Sequence, residues 1–207
     1  MMKRTLIYLL GLTLVFTISS AASAITFTPT PSGNLWDLDH WKYYTWGIDW
    51  SPAEGEVITG ATLTINNIRN WTNEPNDILN IWLLDDPSLG VIVGTDSQDP
   101  TDYFSGYPNP SYKVDAWTDV VDGPPGHTLT YDLFSLNALN DPTVNLGDAL
   151  TDFVALGTFG FGFDPDCHYW NDGISLDITT KVPEPSSLLL LGVGLVGLSG
   201  FRRRMQG

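Results

Sequence analysis

Four oxygen-bearing side chains stand close together in the segment FDPDCHYWNDG: Asp164, Asp166, Asn171 and Asp172. Carboxylate and amide oxygens are the ligands that Ca²⁺ requires, because this hard cation takes about six to eight of them. The spacing is not that of an EF-hand, since Tyr169 stands where such a loop needs glycine. The same side chains could instead hydrogen-bond the loop backbone in Asx turns. The segment therefore indicates either a calcium site or a turn stabilised by its own side chains.

A second candidate site is aromatic and lies in LWDLDHWKYYTWGIDW, residues 35–50. If this chain is extended, alternate side chains point to opposite faces. Tyr44 and Trp46 then share a face that is expected in the core. Trp41 and Tyr43 share the other face, where exposed rings beside carboxylates would stack on sugar rings. If a loop covers that face, the same two rings only contribute to packing. Glycan binding at Trp41 and Tyr43 is thus one of two interpretations.

The other reactive side chains form no recognised catalytic motif. The three histidines are isolated in the sequence and lack the HExxH or paired spacing of zinc sites. Neither a GxSxG sequence nor a phosphate-binding glycine loop occurs. The single cysteine, Cys167, rules out an intramolecular disulfide and is expected to be a small buried residue. We therefore predict a non-catalytic protein.

A two-residue period indicates the elements that carry these side chains. Apolar and polar residues alternate in GATLTIN, TLTYDL, TFGFGFD and GISLDIT, as is typical of half-buried antiparallel strands. Turn clusters such as NEPND, YPNP and DGPPG separate the strands. Only Asn137–Leu156 shows loose helical spacing, which Pro142 interrupts. The pattern predicts a mainly β domain, an antiparallel, jelly-roll-like β-sandwich with one short helical connection.

The charge distribution excludes one class of partner. All of the 24 acidic residues except Glu184 lie in residues 25–182, whereas five of the nine basic residues lie near the two ends. Such an acidic body repels the phosphate backbone and anionic lipid surfaces. We expect no binding to nucleic acid.

The N-terminus has the three parts of a secretory signal peptide. Lys3 and Arg4 precede the apolar run Leu6–Ile18, and small residues follow with Ala22 and Ala24 in an Ala-x-Ala cleavage site. The run is short for a membrane-spanning helix, which needs about 20 residues. Residues 1–24 are therefore predicted to be a signal helix that is removed on export, and cleavage is expected after Ala24.

The C-terminal segment has the composition of a membrane helix. Ser186–Phe201 contains no charged residue, and three arginines follow it directly: Arg202, Arg203 and Arg204. Such a basic cluster stays in the cytoplasm by the positive-inside rule. We predict a short transmembrane helix at about residues 186–201, rather than a helix of the globular core, and a basic tail at 202–204.

A proline-rich tripeptide stands immediately before this helix. Pro183, Glu184 and Pro185 keep the chain extended there. The tripeptide, the short Leu/Gly-rich run and the arginine cluster resemble the PEP-CTERM sorting signal. The resemblance implies that exosortase, a membrane enzyme, recognises the segment and cuts near the motif, so that membrane anchoring is transient. It also implies a secreted or cell-surface protein of a Gram-negative bacterium that makes exopolysaccharide or biofilm matrix, delivered via the inner membrane.

The sequence thus divides into a signal peptide at 1–24, an extracellular domain at 25–181 and a sorting segment at 182–207. The resemblance gives the central domain no activity, and three functions remain open for it. It is a non-catalytic surface or matrix protein, a carbohydrate-binding module that calcium stabilises, or a secreted hydrolase. A hydrolase would need two facing carboxylates or a nucleophile paired with histidine.

Overall fold

The computed structural model describes residues 22–30, 35–71, 77–96, 102–119, 125–183 and 194. Most of the predicted signal peptide lies outside the described residues, as do Glu184, Pro185, the arginines at 202–204 and, apart from residue 194, the transmembrane helix predicted from Ser186. Within the described part of the chain, no helix combines the length and apolar character needed to span a membrane.

Antiparallel strands dominate the described residues. The strands are β1 (Ala22–Phe27), β2 (Asp37–Leu38), β3 (Lys42–Asp49), β4 (Val57–Asn70), β5 (Ile78–Asp85), β6 (Gly90–Thr95), β7 (Ser111–Thr118), β8 (His127–Asp132), β9 (Thr158–Pro165), β10 (Tyr169–Trp170) and β11 (Ile174–Lys181). In this part of the chain they form two sheets of six and five strands. The first sheet has the order β1-β11-β4-β10-β2, with β8 also paired to β4, and the second has the order β6-β3-β9-β5-β7. The prediction of a mainly β, antiparallel fold is confirmed.

The alternation seen in the sequence sorts side chains between the two faces of each strand. Leu63 and Ile65 of β4 are fully buried, and Leu176 and Ile178 of the neighbouring β11 are buried beside them. Threonines that alternate with these residues point to the other face of the sheet. Because the period is two, the strand positions could be predicted without knowledge of their partners.

Strand β9 shows why glycine alternates with phenylalanine in TFGFGFD. Phe161 and its neighbours at 159 and 163 are fully buried in the main core. A Cβ atom on Gly162 would lie 2.6 Å from the ring of Phe104, which is itself fully buried on the outer side of the second sheet. A 3-10 helix, Tyr103–Gly106, holds Phe104 there, so glycine leaves the space that its ring fills.

One α-helix, α1, is present in the described residues and spans Leu146–Leu156. Asn145 caps its N-terminus by accepting hydrogen bonds from the backbone N–H groups of Gly147 and Asp148. The helix ends at Gly157, whose φ of 141° suits glycine. The predicted helical region began nine residues earlier, at Asn137, but the chain around Pro142 forms turns instead. A helical connection is confirmed in the second half of the predicted region.

Both sheets and the helix contribute to a common buried cluster. Leu63 and Ile178 come from the first sheet, Phe161 and Leu83 from the second, and Phe153 from α1. Burial of aliphatic and aromatic side chains is therefore the main source of stability, as expected for a chain whose single cysteine excludes an intramolecular disulfide.

Candidate functional site

Asp164, the first of the predicted calcium ligands, lies at the end of β9, where its side chain is buried. Burial raises the pKa of this carboxyl to about 7, although the backbone N–H of Tyr103 donates a hydrogen bond to Asp164 Oδ2 at 2.9 Å. The negative charges of Asp96, Asp166 and Asp102 contribute to this raised pKa. Asp164 is therefore an unusual acid that holds its proton close to neutral pH.

The four predicted calcium ligands are divided between two environments. Asp164 and Asp166 line a shallow depression together with Trp41, Asp96 and Pro165. The Asn171 side chain instead binds two backbone groups: it donates to the oxygen of Leu35 at 2.6 Å and accepts from the N–H of Gly173 in its own loop at 2.9 Å.

Asp172 makes contacts with β4. Its Oδ2 accepts a hydrogen bond from the side-chain amide of Asn67 at 2.7 Å, and its Oδ1 lies 3.8 Å from Arg69 Nη1. The loop thus uses Asn171 for its own turn, as the Asx-turn interpretation describes, and Asp172 for packing against the sheet. Calcium at the predicted residues stays a prediction.

The two rings of the glycan prediction differ in exposure. Trp41 is 53% exposed and lies in the turn before β3. Tyr43 is half-buried, because its ring stacks on that of Tyr103 with the centroids 3.6 Å apart. On the opposite face Tyr44 and Trp46 are buried, which confirms that they belong to the core. Of the predicted pair, Trp41 alone presents an open ring.

Trp41 also has a backbone conformation that is rare for a bulky residue. Its φ is 68°, in the left-handed region, and its carbonyl accepts a hydrogen bond from the N–H of Asp96 at 2.8 Å. Such a conformation costs about 1–3 kcal/mol and concentrates at functional positions. A tryptophan that is both strained and exposed is therefore a candidate for ligand contact.

Sheet order brings more tryptophans to the same surface. Strand β10 pairs with β2 on one side and with the end of β4 on the other, so that Trp170 faces Asp37 and Trp71 follows β4. The rings of Trp71 and Trp170 stack with centroids 5.6 Å apart and an interplanar angle of 27°. Trp71 is 62% exposed. The ring of His168 lies 5.4 Å from Trp71 and 5.0 Å from Trp170.

Carboxylates and histidines surround these rings. His168 Nε2 contacts Asp37 Oδ1, and His168 Nδ1 lies 3.9 Å from Asp39 Oδ1. The Nδ1 atom of His40 lies 3.5 Å from that same oxygen. Lys42 Nζ donates to Asp39 Oδ2 at 2.7 Å, and this hydrogen bond holds the pKa of the Asp39 carboxyl below its ordinary value. We call this surface the aromatic edge; it comprises Asp37, Asp39, His40, Trp41, Trp71, His168 and Trp170.

A buried polar network supports the aromatic edge from below. Tyr169 lies between His168 and Trp170 and is fully buried, and its hydroxyl donates to Asp77 Oδ1. Asn70, at the end of β4, donates its side-chain amide to Asp77 Oδ2 and its backbone N–H to Asp119. Burial raises the pKa of Tyr169 far above its ordinary value, so the phenol stays a neutral donor. The network fixes the backbone on which His168 and Trp170 stand.

Only part of this surface is predictable from the sequence. Trp41 was predicted, whereas Trp71, Trp170 and the approach of His40 to His168 were not. One signal was available, because Trp71 and Trp170 each stand beside polar residues at the border of a turn segment, where burial is difficult. The predicted burial of Cys167 is confirmed, since it is 2% exposed.

The comparisons with known proteins concern the C-terminal segment. A protein-family model described as the PEP-CTERM protein-sorting motif matches residues 181–204. No curated protein matches the chain. The match begins at Lys181, the last residue of β11, and includes the predicted proline-rich tripeptide and arginine cluster. The chain therefore carries a PEP-CTERM sorting motif, which marks an exported protein that is sorted toward the cell surface and processed by exosortase.

Proposed function

We propose that this protein is a non-catalytic component of the cell surface or of the extracellular, exopolysaccharide-rich matrix of a Gram-negative bacterium. The observation that carries the proposal is the position of the sorting motif, which starts where the last strand of the folded body ends. The described strands lie N-terminal to it, so exosortase would deliver them outside as one unit. The strongly acidic composition would keep such a body soluble and apart from anionic surfaces.

For the architecture we infer a β-sandwich that is jelly-roll-like. The common buried cluster supports it, because apolar faces of two antiparallel sheets that share a core are satisfied by packing face to face. The sandwich would comprise residues 25–181, after removal of a signal peptide at 1–24 and before the sorting segment at 182–207.

The termini of the mature protein test this proposal. In culture supernatant and envelope fractions, mass spectrometry is expected to find an N-terminus near Ile25 and a C-terminus near Pro183. A variant in which Pro183, Glu184 and Pro185 are all alanine should keep its C-terminal segment and accumulate in the envelope. Full-length protein with both ends intact in the cytosol would contradict the proposal.

Glycan binding at the aromatic edge is the second candidate function. Two stacked tryptophans, of which Trp71 is largely exposed, offer flat apolar rings, and neighbouring carboxylates at Asp37 and Asp39 would accept hydrogen bonds from sugar hydroxyls. An extracellular polysaccharide would be the partner. The predicted calcium ion would then serve to stabilise the depression next to Trp41.

Removal of one ring should weaken such binding markedly. We expect Trp71→Ala to lower retention on exopolysaccharide purified from the producing cells at least tenfold, because stacking on an aromatic ring is lost. Leu156→Ala is the matched control, since Leu156 is 76% exposed on α1 and also loses an apolar side chain. Affinity electrophoresis of the full chain measures both variants. Equal retention of Trp71→Ala and the parent protein would refute a role of this surface in glycan binding.

A further inference from the structure

We propose that His40, His168 and Asp39 form a binding site for a divalent transition-metal ion of the zinc and copper class. One ligand atom from each residue lies within 4.8 Å of the other two, and this is the sole such group of histidine, cysteine and carboxylate side chains in the described residues. The site goes beyond the sorting and surface functions proposed above. The proposal depends only on the geometry of the aromatic edge and not on the proposed function.

The spacing of the ligand atoms agrees with tetrahedral coordination. Asp39 Oδ1 lies 3.5 Å from His40 Nδ1 and 3.9 Å from His168 Nδ1. Zinc bonds to nitrogen and oxygen are close to 2.1 Å, so two ligand atoms at a tetrahedral angle stand about 3.4 Å apart. Both nitrogens are also too distant from the oxygen for a normal hydrogen bond. The ligand atoms of the two histidines lie within 4.8 Å of each other, so the imidazoles would move closer together on binding an ion.

Asp37 gives His168 the arrangement found in many metal centres. Its carboxylate contacts Nε2 of the imidazole, so it holds the proton on that nitrogen and leaves the lone pair of Nδ1 on the side of Asp39. A histidine that is oriented by a carboxylate in this way is a more basic and better positioned ligand. Pairing of β10 with β2 fixes Asp37 opposite Trp170, two residues from His168.

Asp39 divides its two oxygens between two tasks. Lys42 binds Oδ2, and Oδ1 is the oxygen that faces both histidines. The two carboxylates, Asp37 and Asp39, outnumber the single cation, Lys42. The three side chains therefore carry one net negative charge, which favours a bound cation.

The donor set selects the kind of metal. Two imidazole nitrogens and one carboxylate oxygen suit zinc, copper or nickel, whereas calcium prefers six or more oxygens. Three protein ligands leave a fourth position open to water or another ligand. The site is therefore different in kind from the calcium site that the sequence predicts near Asp164.

The nearby tryptophans provide a direct measurement. The ring of Trp41 lies 5.9 Å from His40, and those of Trp71 and Trp170 lie 5.4 Å and 5.0 Å from His168. Bound Cu²⁺ or Ni²⁺ should quench their fluorescence. The full chain, purified in mild detergent without a histidine tag, is titrated with Cu²⁺ by fluorescence and with Zn²⁺ by calorimetry.

We expect saturable binding of one ion per chain, and an affinity at least tenfold lower in His40→Ala and in Asp39→Asn. His40 has a side chain that is 45% exposed, so its removal should leave the fold intact. His127→Ala is the matched control, because His127 also lies near a carboxylate, Asp119, and a tryptophan, Trp117, but away from the proposed ligands. Absence of saturable quenching, or an equal loss of affinity in His127→Ala, would overturn the proposal.

Discussion

Asp77→Ala is expected to lower the free energy of unfolding by about 2–6 kcal/mol, because two buried donors lose their acceptor at once. The Asp77 side chain accepts from the hydroxyl of Tyr169 and from the side-chain amide of Asn70, and both residues are fully buried. Each donor left without a partner costs about 1–3 kcal/mol. Since Tyr169 lies between His168 and Trp170, the aromatic edge should lose its fixed geometry together with stability.

Urea unfolding followed by circular dichroism measures this loss. Tyr169→Phe removes only the hydroxyl and should cost less, about 1–2 kcal/mol, because Asp77 keeps its bond with Asn70. Asp152→Ala, an exposed carboxylate on α1, is the control and should leave the free energy of unfolding nearly unchanged. A loss below about 1 kcal/mol in Asp77→Ala would mean that the network contributes little to stability.

The second large effect is a loss of stability with rising pH that originates at Asp164. Burial raises the pKa of this carboxyl to about 7 in the folded protein, against 3.8 for the ordinary group. Between these two values the folded state binds more protons than the unfolded state, so its stability falls as pH rises. Above about pH 7 the folded protein must keep a buried charge. The total contribution is about 4 kcal/mol, present below about pH 4 and lost by about pH 7.

Asp164→Asn isolates this contribution, because asparagine cannot ionise and still accepts from the backbone N–H of Tyr103. We expect the variant to be more stable than the parent at pH 8, and the difference to shrink or reverse at pH 4. Asp166→Asn removes only one of the neighbouring charges that raise the pKa of Asp164, so it should change the slope much less than Asp164→Asn does. Thermal unfolding across this pH range measures all three proteins. Parallel profiles for parent and Asp164→Asn would contradict the pKa assignment.

The same experiment with calcium tests the sequence-based prediction of a calcium site. An ion bound near Asp164 and Asp166 would favour the ionised carboxylate. Calcium should then stabilise the parent protein at pH 8 and have no effect on Asp164→Asn. If the two respond equally, the oxygen-rich loop serves only as a turn.

How far the sequence predicts this fold depends on the range of each interaction. The strands around Leu63, Phe161 and Ile178 were predicted, because alternation is a local signal that burial on one face imposes. The order of the strands in the sheets was not predicted. Strand β11 lies between β1 and β4, and both are far from it in the sequence. No local pattern specifies such pairing.

The difference between local and long-range interactions also explains which residues of the aromatic edge were predicted and which were missed. Trp41 was predicted because it stands among other aromatic residues in the sequence. His168 is separated from Asp37 by 131 positions, and only the pairing of β10 with β2 brings them together. The calcium prediction rests on nearness in the sequence and stays a prediction; the structure adds that the side chain of Asn171, which lies beyond β10, donates to Leu35.

The long strand β4 has a consequence for how a tethered copy would stand on a cell. At one end Val57 pairs with Lys181, where the sorting motif begins, and at the other end Asn70 pairs with Tyr169. The strand has 14 residues, so with a rise of about 3.3 Å per residue its two ends are about 40 Å apart. The stacked tryptophans therefore lie at the end of β4 that is remote from the sorting segment, so a copy held by its tail keeps them about 40 Å along the strand from the point of attachment.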